Sequence, residues 1–397
     1  MRAYKFRIYP NKEQIKKIDY ILDLSYNLYN AMLEQRKMAY ELKKDFYYNI
    51  NVNYTYQQNQ LPELKNEFPE YKYIYSQVLQ DVANRLDKAY DNFFRRINEK
   101  EKGKKIKAGF PRFKSKKVYK SFTYTQSGFE ILDKTHLKLS KIGKIRMFKH
   151  REINGEIKGL TIKRENTGKY YAIFTVNENN NINYSLIPDK PIGFDLGLLS
   201  LIKTSNDEDI EPPKYLRKSE KKLKKLHRSL SRKNKGSKNR EEARIQLAGM
   251  DNHISNQRND FAQKLSNKLI KEYNFIAFED LNINNMVKNH KLAKSIEDAS
   301  WGSLIKDIIY KAGSAGKSYL KVNPKYTSMK CSKCGNIKND LTLDDRTYHC
   351  DVCGITIDRD LNAAINILND AIDKIFKMFI IKHKKKSRHG LSPILCP

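Results

Sequence analysis

The sequence predicts a multidomain α+β protein: strand-rich segments interrupted by a helical insertion, then an α/β part that carries a zinc ribbon. Three observations predict it. An alternating strand pattern opens the chain and returns after about residue 105, with helical periodicity in between. From Pro191 onward, short apolar strands alternate with helices. Two Cys-x-x-Cys pairs then stand close together before a last helix.

The first strand rests on Tyr4, Phe6 and Ile8 alternating with Lys5, Arg7 and Tyr9, which gives it one apolar face. Pro10 stops it. Asn11 has the form of a helix N-cap, with Gln14 as its capping-box partner. Ile15, Ile18, Leu22, Leu28 and Met32 follow at helical spacing. A loop rich in Asn and Tyr is expected over 44–60. A second helix is expected from about Ser76, with Val78, Val82, Leu86, Ala89 and Phe93 on one face. Residues 11–104 therefore read as a helical insertion.

Strand character resumes over 105–190. Phe110, Phe113, Phe122 and Tyr124 are interleaved with Arg112, Lys114, Lys116, Lys117 and Lys120. Leu160-Thr161-Ile162 and Tyr171-Ala172-Ile173-Phe174 flank Asn166-Thr167-Gly168 as a hairpin. The first strand would close this sheet into a β-barrel-like domain of residues 1–10 and 105–190. Phe93, Phe122 and Phe174 are expected to pack in cores.

Ile192 to Leu196 and Leu199 to Thr204 read as strands, and 214–250 as a basic helical stretch. A helix over 255–272, a buried strand Phe275-Ile276-Ala277-Phe278, a helix over 296–313 and a strand over 319–322 follow. The final helix is expected from Leu361. Residues 373–397, with Lys384-Lys385-Lys386, read as a basic disordered tail.

Across 397 residues, Lys and Arg number 77 against 45 Asp and Glu, a formal charge of +32. Such a charge repels itself unless a polyanion neutralises it, and nucleic acid is the expected partner. No apolar run approaches the ~18 residues of a spanning helix. The opening MRAYKFRIYP reads as a strand rather than a leader. A prokaryotic cytoplasmic protein with no membrane partner is expected.

Four of the five cysteines form one cluster: Cys331-x-x-Cys334 and, fifteen residues on, Cys350-x-x-Cys353. Gly335 and Gly354 follow the pairs. Twin knuckles of this kind make a closed tetrahedral thiolate site for structural zinc. Four thiolates leave no position for water, which excludes a catalytic zinc. His349 reads as a bystander, and Cys396 as an incidental thiol.

Three acids sit at the ends of apolar segments. Asp195 ends Ile192-Gly193-Phe194, Glu279 ends Phe275 to Phe278, and Asp360 precedes the final helix. Brought together, they would bind two divalent cations about 4 Å apart, the arrangement for in-line attack of water on a phosphodiester. Hard oxygen ligands suit Mg2+. Each acid taken alone would more often be a turn or cap residue.

The wording of the motifs adds a family. Gly193-Phe194-Asp195-Leu196-Gly197, Phe278-Glu279-Asp280-Leu281 and Asp358-Arg359-Asp360-Leu361-Asn362-Ala363-Ala364 resemble the three RuvC motifs of the TnpB (OrfB) family of insertion-sequence proteins. The cysteine pairs fall between the second and third motifs, as in that family. Arg2 to Arg7, Pro111 to Ser115, Gly236 to Arg240 and Val322 to Ser328 extend the resemblance over most of residues 1–370.

The resemblance implies an RNase H-like (RuvC) α/β domain over 191–327 and 357–372, with an inserted zinc ribbon over 328–356 that binds target nucleic acid. It implies a wedge domain over 1–10 and 105–190 that grips a guide RNA from the transposon end, and a recognition domain over 11–104. The implied activity is Mg2+-dependent cleavage of double-stranded DNA beside a short target-adjacent motif. Asp195, Glu279 and Asp360 would carry it, with Asp358 as the alternative third ligand, and a monomer is expected. A nuclease-inactive RNA-guided regulator and a compact type V CRISPR effector are the rival readings.

Overall fold

Alternation along β1 (Arg2–Tyr9) buries Tyr4, Phe6 and Ile8. The capping box after it is reciprocal. The Gln14 N–H donates to Asn11 Oδ1 at 2.8 Å, and the Asn11 N–H donates to Gln14 Oε1 at 3.0 Å. The computed structural model describes residues 1–46, 51–178, 189–342 and 345–387, in two units, Met1–Asn179 and Asn180–Pro397.

In the first unit, α1 (Lys12–Phe46) runs well past Met32. The expected 44–60 loop is correspondingly shorter. Residues 47–50 lie outside the described residues, and α2 (Tyr54–Asn59) and α3 (Leu61–Glu67) follow. Apolar periodicity missed α2 because a polar residue docks it. Buried Gln57 donates to the Met32 carbonyl at 2.8 Å and accepts from Arg36 Nε at 2.9 Å. α4 (Ser76–Glu101) buries Val78, Leu79, Val82, Ala83 and Leu86.

Six strands complete the unit: β2 (Ser121–Tyr124), β3 (Phe129–Ile131), β4 (His136–Leu139), β5 (Gly143–Phe148), β6 (Glu156–Arg164) and β7 (Tyr170–Asn177). With β1 they form one antiparallel sheet in the order β2-β6-β7-β1-β5-β4-β3. β6 and β7 are the expected hairpin, with Ile162 opposite Ala172. β1 lies in mid-sheet. The two edges come near each other, with the Tyr124 ring of β2 6.4 Å from the Phe129 ring of β3, so the sheet is nearly a barrel. One apolar core takes in Phe6, Phe122 and Phe174 of the sheet together with Leu22, Leu33, Val82 and Leu86 of the helices. Phe93 departs from expectation: it is half-buried and meets Phe94 and Phe110 instead of the core.

In the second unit, β8 (Pro191–Asp195), β9 (Ile202–Thr204) and β10 (Asp209–Ile210) are followed by α5 (Tyr215–Ser231) and α6 (Lys238–Glu272). The sequence pattern predicts a division of this helical region near 250. The break lies at 232–237, where Ser237 caps α6 and Arg240 donates to the Leu230 and Lys233 carbonyls at the end of α5. Next come β11 (Phe275–Glu279), α7 (Ile283–Met286), α8 (His290–Ala299), α9 (Trp301–Ser314) and β12 (Ser318–Val322). The single helix expected over 296–313 is two helices, because Ser300 takes a left-handed φ of 56°. β13 (Thr347–His349), β14 (Thr356–Asp358) and α10 (Arg359–Ser387) end the described chain. Residues 373–387 of the expected disordered tail are thus helical; 388–397, with Cys396, lie outside the described residues.

The five-stranded sheet has the order β10-β9-β8-β11-β12, with β8, β11 and β12 parallel and β9 and β10 antiparallel. Both faces are covered, which is why β11 reads as an unbroken apolar run. Ile276 and Phe278 pack with Leu265 of α6 and Leu304 and Ile308 of α9. Phe275 and Ala277 pack with Ile367 and Ala371 of α10.

Candidate active site and metal centre

Asp195 is the last residue of β8 and Glu279 the last of β11. These strands are parallel neighbours, so their C-terminal ends open on the same side of the sheet. α10 packs against β8 over Gly193 and carries Asp360 in its first turn. The three acids therefore line one cavity of about 310 Å³, together with Pro324, Thr327 and Arg359.

Their charges oppose one another. Burial, then the neighbouring Glu279 and Asp360 carboxylates, raise the Asp195 carboxyl to about 7. Burial also raises Glu279, against the opposing hydrogen bond from Thr327. The Thr327 hydroxyl donates to Glu279 Oε1 at 2.5 Å. The Arg359 guanidinium lies 3.4 Å from Asp360 Oδ1 and donates to the Thr342 carbonyl at 3.2 Å. The cavity gathers three carboxylates, hard-oxygen donors of the kind that suit Mg2+, while among the described residues only the four cysteines bring their ligand atoms close enough together to hold one ion.

Asp358 is not among the residues lining the cavity. It is exposed, and its Oδ1 accepts the Leu361 N–H at 2.9 Å, capping the start of α10.

The cysteines meet in a second centre. Cys331 Sγ is 3.6 Å from Cys353 Sγ, Cys334 Sγ is 3.5 Å from Cys350 Sγ, and all four sulfurs lie within 4.8 Å of one another. Metal–sulfur bonds of about 2.3 Å in a tetrahedron place sulfurs about 3.8 Å apart, so the cluster fits one zinc with no open position. The two knuckles repeat the same turn. The Gly335 N–H donates to the Cys331 carbonyl and the Gly354 N–H to the Cys350 carbonyl, each at 2.9 Å. Gly335 and Gly354 sit at φ 80° and 68°, a conformation that glycine adopts without steric cost. N–H groups of Cys353 and Val352 at the Cys350 sulfur lower its thiol, while burial and the neighbouring sulfurs raise that of Cys334, so the four sulfurs share their charge as one group. His349 is exposed, and its Nδ1 is engaged with the Thr356 hydroxyl at 2.9 Å.

Sequence reasoning did not single out Thr327 or Arg359. Both stand inside quoted motifs, but no spacing rule marks a hydroxyl or guanidinium whose partner lies elsewhere in the chain. No helix among the described residues is long and apolar enough to cross a membrane.

Comparison with known proteins agrees with the motifs. Residues 1–45 match a family model described as a helix-turn-helix domain, 175–290 one described as "Probable transposase" (OrfB of IS605), and 301–367 one described as a Cas12f1-like TNB domain. A Streptomyces pristinaespiralis protein named "Putative RNA-guided DNA endonuclease" is 32% identical over 374 residues, covering 92% of this chain and 88% of the relative. InsQ of Escherichia coli K12, which carries the same description, is 28% identical over 386 residues, covering 93% and 92%. In fold, the chain is similar to Cas12f1 as solved by cryo-EM in a complex with sgRNA and target DNA. The TM-score is 0.55 at 14% identity, covering 90% of this chain and 82% of that one. Motifs, extended similarity and fold converge, and the chain belongs to the TnpB (OrfB) family.

Proposed function

We propose that this chain is an RNA-guided DNA endonuclease of an insertion sequence that hydrolyses target DNA beside a short target-adjacent motif. The observation that carries the proposal is the convergence of Asp195, Glu279 and Asp360, far apart in sequence, in one cavity at the ends of two parallel strands and the start of a helix. The mixed five-stranded sheet supports an RNase H-like (RuvC) reading of 191–327 and 357–372.

In this mechanism the three carboxylates hold the cations and supply the negative charge that neutralises them. Two Mg2+ ions held by Asp195, Glu279 and Asp360 would supply an activated water and stabilisation of the leaving oxygen. Arg359 keeps a positive charge at the cavity wall, beside Asp360, where the scissile phosphate would lie. One zinc on Cys331, Cys334, Cys350 and Cys353 holds the ribbon of 328–356, which would contact target nucleic acid.

Guide RNA would be gripped by the wedge, 1–10 and 105–190, and the heteroduplex lined by 11–104. The chemistry of the β1 face supports this. Lys5 Nζ lies 3.9 Å over the Tyr171 ring, Arg7 lies over Tyr9 and Tyr171, and Tyr9 and Phe148 are exposed. Cations interleaved with exposed rings suit phosphates and unpaired bases. The relatives' names point the same way.

The experiment is cutting of a guide-matched duplex with Mg2+, with and without the RNA that copurifies after expression with the flanking DNA. Asp195→Ala, Glu279→Ala and Asp360→Ala should each abolish cutting while keeping guide and target binding in a gel shift, because affinity comes from Lys, Arg and base pairing. Asp358→Ala should retain activity. Sequence-blind cutting without RNA, or full activity in both Asp195→Ala and Glu279→Ala, would defeat the proposal.

A further inference from the structure

Three polar residues of α10 grip the segment that leads into the first cysteine knuckle. Buried Asn366 donates its Nδ2 to the Thr327 carbonyl at 2.9 Å and the Lys330 carbonyl at 2.6 Å. Asn362, also buried, donates to the Lys330 carbonyl at 2.8 Å and accepts the Ser332 N–H at 2.9 Å. Lys330 pairs with Asp370 at 3.0 Å. Asn362, Asn366 and Asp370 recur every four residues, forming one stripe along the helix that presents Asp360. That helix thus clamps the backbone of Thr327.

Thr327 is 4% exposed, and its Oγ1 lies 2.5 Å from Glu279 Oε1 and 3.1 Å from the Pro324 carbonyl. A hydroxyl has one proton to donate. The shorter contact is to the carboxylate, which is the stronger acceptor. Glu279 has one more rotatable bond than the two aspartates, so it is the acid whose carboxylate most needs fixing.

We infer that Thr327 is a positioning residue for Glu279: its hydroxyl holds one carboxylate oxygen and leaves the other to the cation site, while Asn366 holds the Thr327 carbonyl and Asn362 secures the following turn at Lys330 and Ser332. The inference rests on the nuclease reading above. It makes the entrance to the cysteine knuckles part of the support of the reacting centre. Supporting hydrogen bonds of this kind are worth about 10–100-fold in metal affinity or activity.

The test compares Thr327→Val, which keeps the shape without the hydroxyl, with Thr327→Ser, which keeps the hydroxyl. Parent, both variants and Asp195→Ala are purified as guide complexes. Mn2+ binding is followed by electron paramagnetic resonance, alongside the Mg2+ concentration for half-maximal cutting, zinc content and guide affinity. Thr327→Val should weaken Mn2+ binding about tenfold and raise the half-maximal Mg2+ by a similar factor. Zinc content and guide affinity should stay at the parent values, and Thr327→Ser should restore the metal dependence. Parent-like Mn2+ and Mg2+ dependence in Thr327→Val would overturn the inference. So would equal loss in the Val and Ser variants, or loss of zinc, since either assigns Thr327 to folding alone. Mn2+ binding by the parent no stronger than by Asp195→Ala would instead defeat the nuclease reading itself.

Discussion

Gly193 and Ala364 meet backbone to backbone: a Cβ on Gly193 would lie 2.5 Å from the Ala364 carbonyl oxygen, and 2.7 Å from Leu368 Cβ. Neither obstacle is the tip of a flexible side chain, so α10 would have to move off β8 to admit one. That movement would carry Asp360 away from Asp195. Gly193→Ala should therefore destabilise the protein by about 1–3 kcal/mol, as overpacking does, and reduce Mg2+-dependent cutting more than tenfold. Melting temperature and cutting rate are the measurements. Parent values for both would mean that close approach of the helix is not required.

The raised carboxyl of Asp195 has a consequence for stability. In the folded protein without divalent cation it holds its proton up to about pH 7, whereas an unfolded aspartate releases it near about 3.9. The folded state binds the extra proton, so this contribution is full below the unfolded value and is lost as pH rises through about 7. Asp195→Asn removes the loss. In Mg2+-free buffer the variant should match the parent near pH 4 and exceed it increasingly up to about pH 7, levelling off above that at roughly 4 kcal/mol. Thermal melts across this range test it; a difference independent of pH would contradict it.

Four sulfurs gathered within 4.8 Å should retain one zinc per chain through purification. Replacing Cys331, Cys334, Cys350 and Cys353 by Ser should abolish zinc retention and loosen 328–356, read as new proteolytic cuts there. Stoichiometric zinc in the fourfold variant by elemental analysis would rule out the assignment.

Asp298 joins three helices from a position 3% exposed. It accepts the Leu216 and Arg217 N–H groups at 2.9 and 3.3 Å, capping α5 from α8, and it pairs with Arg258 of α6 at 2.9 Å. Asp298→Ala should cost about 2–4 kcal/mol, since it removes a cap and strands a cation. Denaturant unfolding measures this. A loss below about 0.5 kcal/mol would place Asp298 with ordinary surface ion pairs.

What the sequence determined by itself was whatever depends on neighbours along the chain. The Asn11–Gln14 capping box, the alternation of β1, the β6–β7 hairpin and the twin cysteine turns each involve residues a few positions apart, so their chemistry is written locally. The motif wording likewise carried the family. Tertiary structure decided what depends on through-space partners: that β1 lies in mid-sheet between β7 and β5, that Gln57 docks α2, and that Thr327 finds Glu279. It also separated Asp360 from Asp358. Asp360 lies in the first turn of α10 and lines the cavity, whereas Asp358 ends β14 and turns to the Leu361 N–H. Two residues apart at a strand-to-helix junction, side chains point in different directions, and only the packing of α10 on β8 selects which one faces the other acids.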